Sequence, residues 1–430
     1  MGKKNIIFYF SDQQRWDTVN EEVTPNLCEL AKEGIKYENN FTCQPVCGPA
    51  RACLQTGVYA TQCGCYWNGI PLPSDITPLA HYFNEAGYET AYIGKWHLAS
   101  NRLPGIGLHC ESTAIPKNKQ GEYQYFRCAD VLEFTSHGYD GYVFDGDGNK
   151  IDFKGYRADC INDFALEFLD KRDKDKPFFM FVSQLEPHHQ NDHHTYEGYK
   201  PTVEKYKDYP LPDDLTFLKG AINRLDYNVG RLVDKLKELG IYDDTIIVYT
   251  SDHGSHFKTR NPEYKRSCHE SATHTPLIIK GGKFTGGKKE ERLSSLIDLP
   301  PTLLSMAGIQ IPSTYMGVDL AEQIDNPDKK RDCVFMQISE ASNSRAIRTE
   351  RFKYEVRDIA VTGYAHHRAK VYFENYLYDL KKDPNEKYNL IKDPRYRHIR
   401  QELKYLLLKQ MQNAQEEAPV IFPAVIKRRK

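Results

Sequence analysis

Residues with carboxylate, amide, amine and imidazole side chains stand directly after four short apolar runs of the sequence. The runs are residues 6–10, 90–93, 178–182 and 246–249. The polar residues that follow them include Asp12 and Gln13, Lys95 and His97, His188 and His189, and Asp252 and His253. Side chains of these types bind metal ions and transfer protons. Continuous apolar runs are typical of strands covered on both faces, and ligands bind outside the carboxyl ends of such strands. We therefore predict that the four polar groups converge at one edge of a sheet.

Cys47 is a further residue whose position indicates chemistry. Pro49 suits the first turn of a helix, so Cys47 is predicted at a helix amino terminus. Backbone N–H groups and the helix dipole favour negative charge at that place. An unmodified cysteine there would have a lowered pKa and could act as a thiolate nucleophile.

The elements that would position these residues alternate between strand and helix. Helix-like stretches lie at residues 25–33, 158–170 and 218–239, the last with apolar residues spaced by three and four and with Gly240 as a stop signal. This alternation predicts an α/β fold with a large, mostly parallel sheet flanked by helices. Residues 99–155 are rich in Gly, Tyr and Asp and show little periodicity, which predicts a long excursion over the active edge.

A second unit is predicted after a polar linker within residues 310–332. Residues 334–338, 346–349, 353–356 and 376–378 alternate like the strands of a small antiparallel sheet, and residues 397–412 have a helical pattern. We therefore predict a catalytic domain at residues 1–325 and a smaller α+β subdomain at residues 330–430. The basic residues 427–430 are predicted to form a solvated end.

Composition argues against two classes of protein. The 430 residues include 58 Lys and Arg against 59 Asp and Glu. The formal net charge of -1 argues against a nucleic-acid-binding protein, because such proteins usually carry a strong excess of basic residues. No apolar run approaches the ~20 residues that a membrane helix needs. The amino terminus shows no export signal, so we expect a cytoplasmic protein whose eleven cysteines are reduced thiols.

The stretch around Cys47 carries a resemblance to a known family. Residues 47–57 read Cys-Gly-Pro-Ala-Arg-Ala-Cys-Leu-Gln-Thr-Gly. They resemble the signature C-x-P-x-R-x-x-L-x-T-G of type I sulfatases, in which the cysteine is oxidised to formylglycine. Residues 94–97, 187–188 and 251–254 are similar to the G-K-W-H, P-H and S-D-H-G motifs of that family. The resemblance covers residues 5 to about 395 and implies an alkaline-phosphatase-like core with a small C-terminal subdomain. One departure is His269, which stands where the family often has Tyr.

The resemblance implies a modified nucleophile. Cys47 would be converted to formylglycine by a maturation enzyme, and one hydroxyl of the hydrated aldehyde would attack the sulfur of a sulfate ester. Arg51, one turn further along the helix, would stabilise that hydrate.

The resemblance also implies which residues bind sulfate and transfer protons. Lys95 and Lys265 would bind the sulfate oxygens, and His188 together with Lys265 would protonate the leaving oxygen. His97 would later remove a proton so that sulfate is expelled and the aldehyde is regenerated. His188 is preferred to His189 because it directly follows Pro187.

A metal site is the third implication. Asp12, Gln13, Asp252 and His253 would bind one divalent cation, which would contact a sulfate oxygen. The oxygen-rich set favours Ca²⁺ or Mg²⁺, whereas the imidazole widens the choice toward Mn²⁺ or Zn²⁺. We expect Ca²⁺ from the resemblance.

Three alternatives to a sulfatase remain open from the sequence. A phosphodiesterase or phosphonate monoester hydrolase could use the same core, because sulfate and phosphate esters are similar tetrahedral anions. A non-catalytic protein could bind a sulfated glycan, and a thiol enzyme could use unmodified Cys47. We favour a sulfatase acting on a carbohydrate sulfate rather than on a simple aryl sulfate. Selectivity is expected to come from residues 99–155, 189–215 and 340–370.

Overall fold

A large mixed β-sheet forms the centre of the fold. In the computed structural model, which describes residues 2–102, 107–206, 213–360, 363–364 and 366–424, this sheet contains eleven strands. The described residues contain twenty strands in all, of which the other nine form a five-stranded sheet and the two-stranded pairs β10-β11 and β3-β15. Numbered along the chain, the twenty strands are β1 (Asn5–Ser11), β2 (Ile35–Tyr37), β3 (Asn40–Phe41), β4 (Glu89–Lys95), β5 (Tyr125–Ala129), β6 (Ser136–His137), β7 (Asp140–Asp145), β8 (Lys150–Lys154), β9 (Phe178–Ser183), β10 (His189–Gln190), β11 (Thr195–Tyr196), β12 (Thr245–Ser251), β13 (Leu277–Lys280), β14 (Lys288–Glu290), β15 (Ser294–Ser295), β16 (Val334–Ile338), β17 (Ser344–Arg348), β18 (Phe352–Arg357), β19 (Val371–Asp379) and β20 (Val420–Phe422).

Helices lie between these strands on both sides of the sheet. They are α1 (Pro25–Glu33), α2 (Cys47–Thr56), α3 (Ala60–Cys63), α4 (Leu79–Glu85), α5 (Leu132–Thr135), α6 (Arg157–Lys171), α7 (Lys200–Tyr206), α8 (Asp213–Glu238), α9 (Glu270–Thr273), α10 (Leu299–Met306), α11 (Leu320–Asp325) and α12 (Arg397–Asn413). Short 3-10 helices lie at Trp16–Thr18, Lys117–Lys119, Leu296–Asp298 and Pro394–Tyr396.

The four strands predicted from apolar runs are neighbours in the large sheet. The strand order is β14-β2-β13-β12-β1-β9-β4-β5-β7-β6, and β8 pairs with β7. Strands β12, β1, β9, β4 and β5 run parallel to one another. Ser11 pairs with Ser251, and Gly94 pairs with Ser183, so the strands end at the same edge. The predicted convergence of their carboxyl ends is confirmed.

Both faces of the large sheet are covered by helices. In β1, Ile6, Phe8 and Phe10 belong to a hydrophobic cluster that includes residues of α2, α4 and α10. Ile7 and Tyr9 belong to a second cluster, which includes residues of α1, α6 and α8. Because successive side chains of a strand point to opposite faces, a strand between two layers of helices is apolar at every position.

The smaller sheet follows in the last part of the chain, with the order β16-β17-β18-β19-β20. Strands β16 to β19 are antiparallel, as predicted, whereas β20 joins β19 in parallel. Helix α12 contributes Leu403, Leu407 and Met411 to the same hydrophobic cluster as Ile6 and Phe8 of β1. One core therefore extends from the large sheet to the small one. The boundary between residues 325 and 330 falls between α11 and β16 and stays a prediction.

Residues 99–155 differ from the predicted long loop. They contain the strands β5, β6, β7 and β8, which extend the large sheet beyond β4, and the short helix α5. The prediction was wrong because β7 and β8 lie at the rim of the sheet, where only Val143 and Phe153 are buried and no apolar run is needed. Residues 103–106 lie outside the described part of the chain.

Two other expectations can be compared with the structure. All eleven cysteines are free, and all except the partly buried Cys28 are buried, as expected for reduced thiols that pack as small apolar residues. None of the helices in the described residues combines the length and the apolar composition that crossing a membrane requires. The basic residues 427–430 lie outside the described residues.

Candidate active site

A cavity of about 380 Å³ opens at the carboxyl edge of the parallel strands. Six of the predicted site residues line this cavity, namely Gln13, Cys47, Lys95, His97, His188 and Lys265. The other four, which are Asp12, Arg51, Asp252 and His253, are buried around Cys47. The structure therefore brings all ten predicted residues together.

Cys47 is the first residue of α2, as its spacing to Pro49 predicts. The preceding residue, Val46, is extended with φ -147° and ψ 133°, so the chain turns into the helix at Cys47. The backbone N–H of Gly48 donates to Asn68 Oδ1 at 2.9 Å, which holds the start of the helix against the cavity wall. The positive end of the helix dipole thus faces the cavity.

The Cys47 sulfur is surrounded by cationic and polar groups. Lys265 Nζ donates to Sγ at 2.7 Å, His253 Nε2 lies 3.2 Å away, and Sγ is 3.7 Å from Asp12 Oδ1. Burial alone would raise the pKa of the thiol, but the charges of Lys265, Lys95 and His253 hold the pKa well below its usual value. The site thus favours negative charge at position 47.

Asp12, Asp252 and His253 form a buried cluster that fits a divalent cation. Together with Cys47 they each offer a ligand atom within 4.8 Å of the others. Asp252 Oδ2 is buried and has no hydrogen-bond partner within the described residues, although Arg51 NH2 lies 3.6 Å from it. Burial and the nearby Asp12 raise the pKa of Asp252. Two adjacent buried carboxylates and an unsatisfied oxygen are the donor set that a hard cation would stabilise.

Gln13 and His253 complete this donor set. The backbone N–H of Gln13 donates to Asp252 Oδ1 at 3.0 Å, and its side-chain amide donates to Ser255 Oγ at 3.3 Å, which leaves the amide oxygen for a cation. Gln13 has φ 68°, a left-handed conformation that is uncommon for residues other than glycine. His253 Nδ1 lies 2.9 Å from the Gly254 carbonyl, so Nε2 faces the cluster.

Arg51 and Lys95 bind the Asp12 carboxylate oxygen Oδ2, whereas the Cys47 sulfur lies 3.7 Å from Oδ1. Arg51 NH2 and Lys95 Nζ both bind Asp12 Oδ2, at 2.9 and 2.7 Å. Arg51 NH1 also donates to the Lys95 carbonyl at 2.9 Å and to Ser183 Oγ at 2.6 Å. Arg51 therefore connects the ends of β1, β4 and β9, while Lys95 reaches the cavity. Ser183 was not among the predicted residues.

His188 lies between a carboxylate and an amine. Its Nδ1 is 3.1 Å from Glu133 Oε2, and its Nε2 is 3.3 Å from Lys265 Nζ. Burial and Lys265 act to lower the pKa of His188, but Glu133 and Asp12 outweigh them and raise it. Burial acts to raise the pKa of Glu133, but His188, Lys95 and Lys265 lower it to about 2. Sequence reasoning missed Glu133, which carries no motif and lies 55 positions before His188.

The neighbouring histidines have different environments. His189 is not among the described residues that line the cavity; its Nε2 lies 2.9 Å from Tyr264 Oη, and the two rings stack with their centroids 4.4 Å apart. His97 lines the cavity with φ 61°, and its backbone N–H donates to the Asp130 carbonyl. In the described residues His97 Nδ1 is buried without a hydrogen-bond partner.

The outer cavity wall combines aromatic and charged residues from several segments. They are Trp67, Asn68, Arg102, Val131, Glu133, Phe134, Asn191, Glu263, Tyr264, Arg266, Glu340 and Tyr364. Arg266 is paired with both Glu340 and Glu263. Each segment predicted to set selectivity contributes to this wall. The wall residues Trp67, Asn68, Glu263, Tyr264 and Arg266 were not predicted. Residues 207–212, 361–362 and 365 of the predicted segments lie outside the described residues.

Comparison with known protein families identifies matches along most of the chain. A family model described as Sulfatase matches residues 4–309. A second model, described as the C-terminal part of N-sulphoglucosamine sulphohydrolase, matches residues 263–414. The two matches together cover the large sheet and strands β16 to β19 of the smaller sheet.

Individual relatives match over nearly the whole chain. An ulvan-active sulfatase of Formosa agariphila is 28% identical over 96% of this chain and 82% of its own length. The N-acetylglucosamine-6-O-sulfatase of Bacteroides thetaiotaomicron is 27% identical over 94% of this chain and 86% of its own. A solved protein in complex with its substrate D-glucosamine-2-N,6-O-disulfate has the same fold, with a TM-score of 0.82 and 23% identity over 97% of this chain and 99% of that chain.

Proposed function

Because this chain belongs to the sulfatase family, we propose that it hydrolyses a sulfate monoester of a carbohydrate by means of a formylglycine formed from Cys47. The observation that carries this proposal is the environment of Cys47 at the start of α2. Lys265, His253 and Asp12 all lie within 3.7 Å of its sulfur, at the base of a cavity open to a substrate.

The nucleophile is proposed to be a modified side chain. Cys47 Sγ marks the direction in which the oxygen atoms of formylglycine would lie. Formylglycine in its hydrated form would supply a hydroxyl that attacks sulfur. Lys265 Nζ, 2.7 Å from Sγ, and the amino terminus of α2 stabilise negative charge at this position. A formylglycine-generating maturation enzyme is therefore a proposed partner of this chain.

The sulfate group is proposed to bind between Lys95 and Lys265. Both lysines line the cavity. Lys265 Nζ lies 2.7 Å from Cys47 Sγ, and Lys95 is oriented by its 2.7 Å ion pair with Asp12. A divalent cation, proposed to be Ca²⁺ with Mg²⁺ or Mn²⁺ as alternatives, would be held by Asp12, Gln13, Asp252 and His253 and would add positive charge beside a sulfate oxygen. Arg51 keeps Asp12 oriented toward this set.

Two histidines are proposed to move protons. His188 protonates the leaving oxygen, because Glu133 on Nδ1 favours the imidazolium form while Nε2 faces Lys265 near the reacting centre. His97 takes up a proton when sulfate departs, and its buried Nδ1 is without a protein partner among the described residues. The two proton transfers thus use different histidines, both of which line the cavity.

A carbohydrate is proposed as the leaving group. The named relatives include enzymes active on ulvan and on N-acetylglucosamine 6-O-sulfate. The cavity wall offers aromatic surface from Trp67 and Tyr364, whose rings meet edge to face at 5.6 Å, next to the Glu340 carboxylate. Glu340 and Tyr364 belong to the proposed second unit at residues 330–430. We therefore propose that this unit and the catalytic domain at residues 1–325 share the substrate site.

Mass spectrometry of the tryptic peptide of residues 37–51 tests the modification, with protein made together with a maturation enzyme. We expect formylglycine at position 47, and an unmodified thiol in fully active protein would contradict the proposal. Rates on 4-nitrophenyl sulfate and on a bis-aryl phosphate ester then separate a sulfatase from a phosphodiesterase on the same core. Faster turnover of the phosphate ester would overturn the substrate assignment. A screen of sulfated sugars should identify the natural ester.

A further inference from the structure

A second group of metal-binding side chains lies at the surface, outside the machinery described above. It consists of His137 on β6 and of Asp192 and His193 between β10 and β11, and each offers a ligand atom within 4.8 Å of the other two. We propose that these three residues bind a divalent transition-metal ion of the Zn²⁺ class. Their side chains are 45%, 53% and 45% exposed, so an ion in solution can reach them.

The two imidazole rings lie face to face beside the Asp192 carboxylate. The rings of His137 and His193 stack with their centroids 4.4 Å apart and their planes 9° apart. His137 Nε2 lies 2.9 Å from Asp192 Oδ2. Because each nitrogen lone pair lies in the plane of its ring, one of these exposed rings must turn out of the stack for both nitrogens to bind one ion together with the carboxylate. Metal binding would release any proton on these nitrogens to solvent.

Outer hydrogen bonds already orient two of the three ligands. His193 Nδ1 lies 2.7 Å from Glu197 Oε1, which leaves Nε2 as the nitrogen for a metal. Gln190 Nε2 donates to Asp192 Oδ1 at 2.7 Å, while Oδ2 faces His137. A carboxylate on the far nitrogen of a ligating histidine is the usual support of a zinc site.

The ligand types distinguish this cluster from the site at Asp12 and Asp252. Two imidazoles and one carboxylate suit Zn²⁺, with water in the remaining position, and also suit Ni²⁺ or Cu²⁺. Ca²⁺ prefers six to eight oxygen ligands and would bind this cluster poorly. The two sites can therefore be occupied selectively.

The cluster is connected to the wall of the cavity. Gln190 Nε2 also donates to the Glu133 carbonyl at 3.0 Å, and Asn191 Nδ2 donates to Glu133 Oε1 at 3.3 Å. Asn191 and Glu133 both line the cavity. An ion bound at Asp192 would therefore anchor residues 189–197 next to the active site.

Binding of Zn²⁺ and Co²⁺ to the full chain, in excess Ca²⁺, tests the proposal. His137→Gln and His193→Gln each remove one ligand from an exposed position and should preserve the fold. We expect both to lose one ion per chain, or to bind it at least about tenfold more weakly than the wild type, because even loss of a supporting group typically costs about 10–100-fold. Co²⁺ in the site should lack the sulfur-to-metal band that marks binding to a cysteine.

His398→Gln is the matched control. Like His193, His398 pairs with a glutamate four residues later, Glu402 at 3.0 Å, but it belongs to neither group of metal-binding side chains found in the described residues. This variant should bind Zn²⁺ like the wild type. Equal binding by the wild type, His137→Gln and His193→Gln would overturn the site, as would an equal loss in His398→Gln. Zn²⁺ should also slow amide hydrogen exchange of residues 189–197 in the wild type and in His398→Gln, but not in His137→Gln or His193→Gln. Unchanged exchange despite binding would overturn the anchoring of this segment.

Discussion

Replacing His188 by Ala should slow the cleavage of a sulfated sugar far more than that of 4-nitrophenyl sulfate. The proton on His188 is needed only when the leaving oxygen is strongly basic, as a sugar alkoxide is. A nitrophenolate departs without protonation. Glu133 Oε2, 3.1 Å from Nδ1, raises the pKa of His188 and so favours its protonated form, and His188→Ala removes this proton donor.

The expected size of the effect follows from the groups that remain. General acid catalysis typically contributes about 10²- to 10⁴-fold, which corresponds to about 3–5 kcal/mol of activation free energy. Lys265 Nζ lies 3.3 Å from His188 Nε2 and remains in the variant as a poorer proton donor. We therefore expect kcat/KM to fall about 10²-fold for the sugar ester and less than about tenfold for the nitrophenyl ester.

The assay compares kcat/KM for both esters in the wild type, His188→Ala and the control His189→Ala. The control is matched because His189 is adjacent in the chain but hydrogen-bonds Tyr264 instead of facing Lys265. His189→Ala should slow neither ester by more than a few-fold.

Two outcomes would refute this reasoning. If His188→Ala slows both esters equally while His189→Ala shows the leaving-group dependence, the proton donor is the next residue along the chain. If neither variant shows that dependence, the donor is a different group, and the role inferred from the Glu133 contact is wrong.

Three further predictions concern the same cavity. Asp252→Ala should lose both the cation and turnover while keeping its circular dichroism spectrum, and full activity in protein shown by elemental analysis to be metal-free would contradict the metal assignment. Lys95→Ala should reduce kcat/KM by about 10²- to 10³-fold for the sugar and nitrophenyl esters alike, because it removes charge stabilisation from the sulfate itself; a loss confined to one ester would count against this role. Glu133→Gln should lower the pKa of His188, so the decline of kcat/KM for the sugar ester as pH rises should move to lower pH. An unmoved pH profile would show that Glu133 does not control this proton.

The fold of the catalytic part could be predicted from local sequence because its strands are buried on both faces. Ile6 to Phe10 alternate between two hydrophobic layers, so every position must be apolar, and the run is visible without any alignment. The predicted α/β class, with a large, mostly parallel sheet and a small antiparallel sheet, is confirmed by the observed sheets and by solved structures with the same fold. Strands β7 and β8 were missed because rim strands need no such continuous run.

The candidate site likewise contains residues that the sequence could place and residues that it could not. Residues that follow buried strands, such as Asp12, Lys95 and Asp252, could be placed because parallel strands must end at one edge. Cys47 could be placed because proline and the helix start are local signals.

The sequence by itself thus determined which residue types stand at the strand ends and at the start of α2. Only the tertiary structure decided how they pair. Glu133 contacts His188, which lies 55 positions later in the chain, and Glu340, in the loop that follows β16, forms an ion pair with Arg266. It also decided that His188, and not His189, faces Lys265, because two adjacent residues of a loop have no periodicity that assigns one of them to the cavity. Such pairings depend on the packing of segments distant in the chain, for which local patterns of apolar and polar residues carry no information.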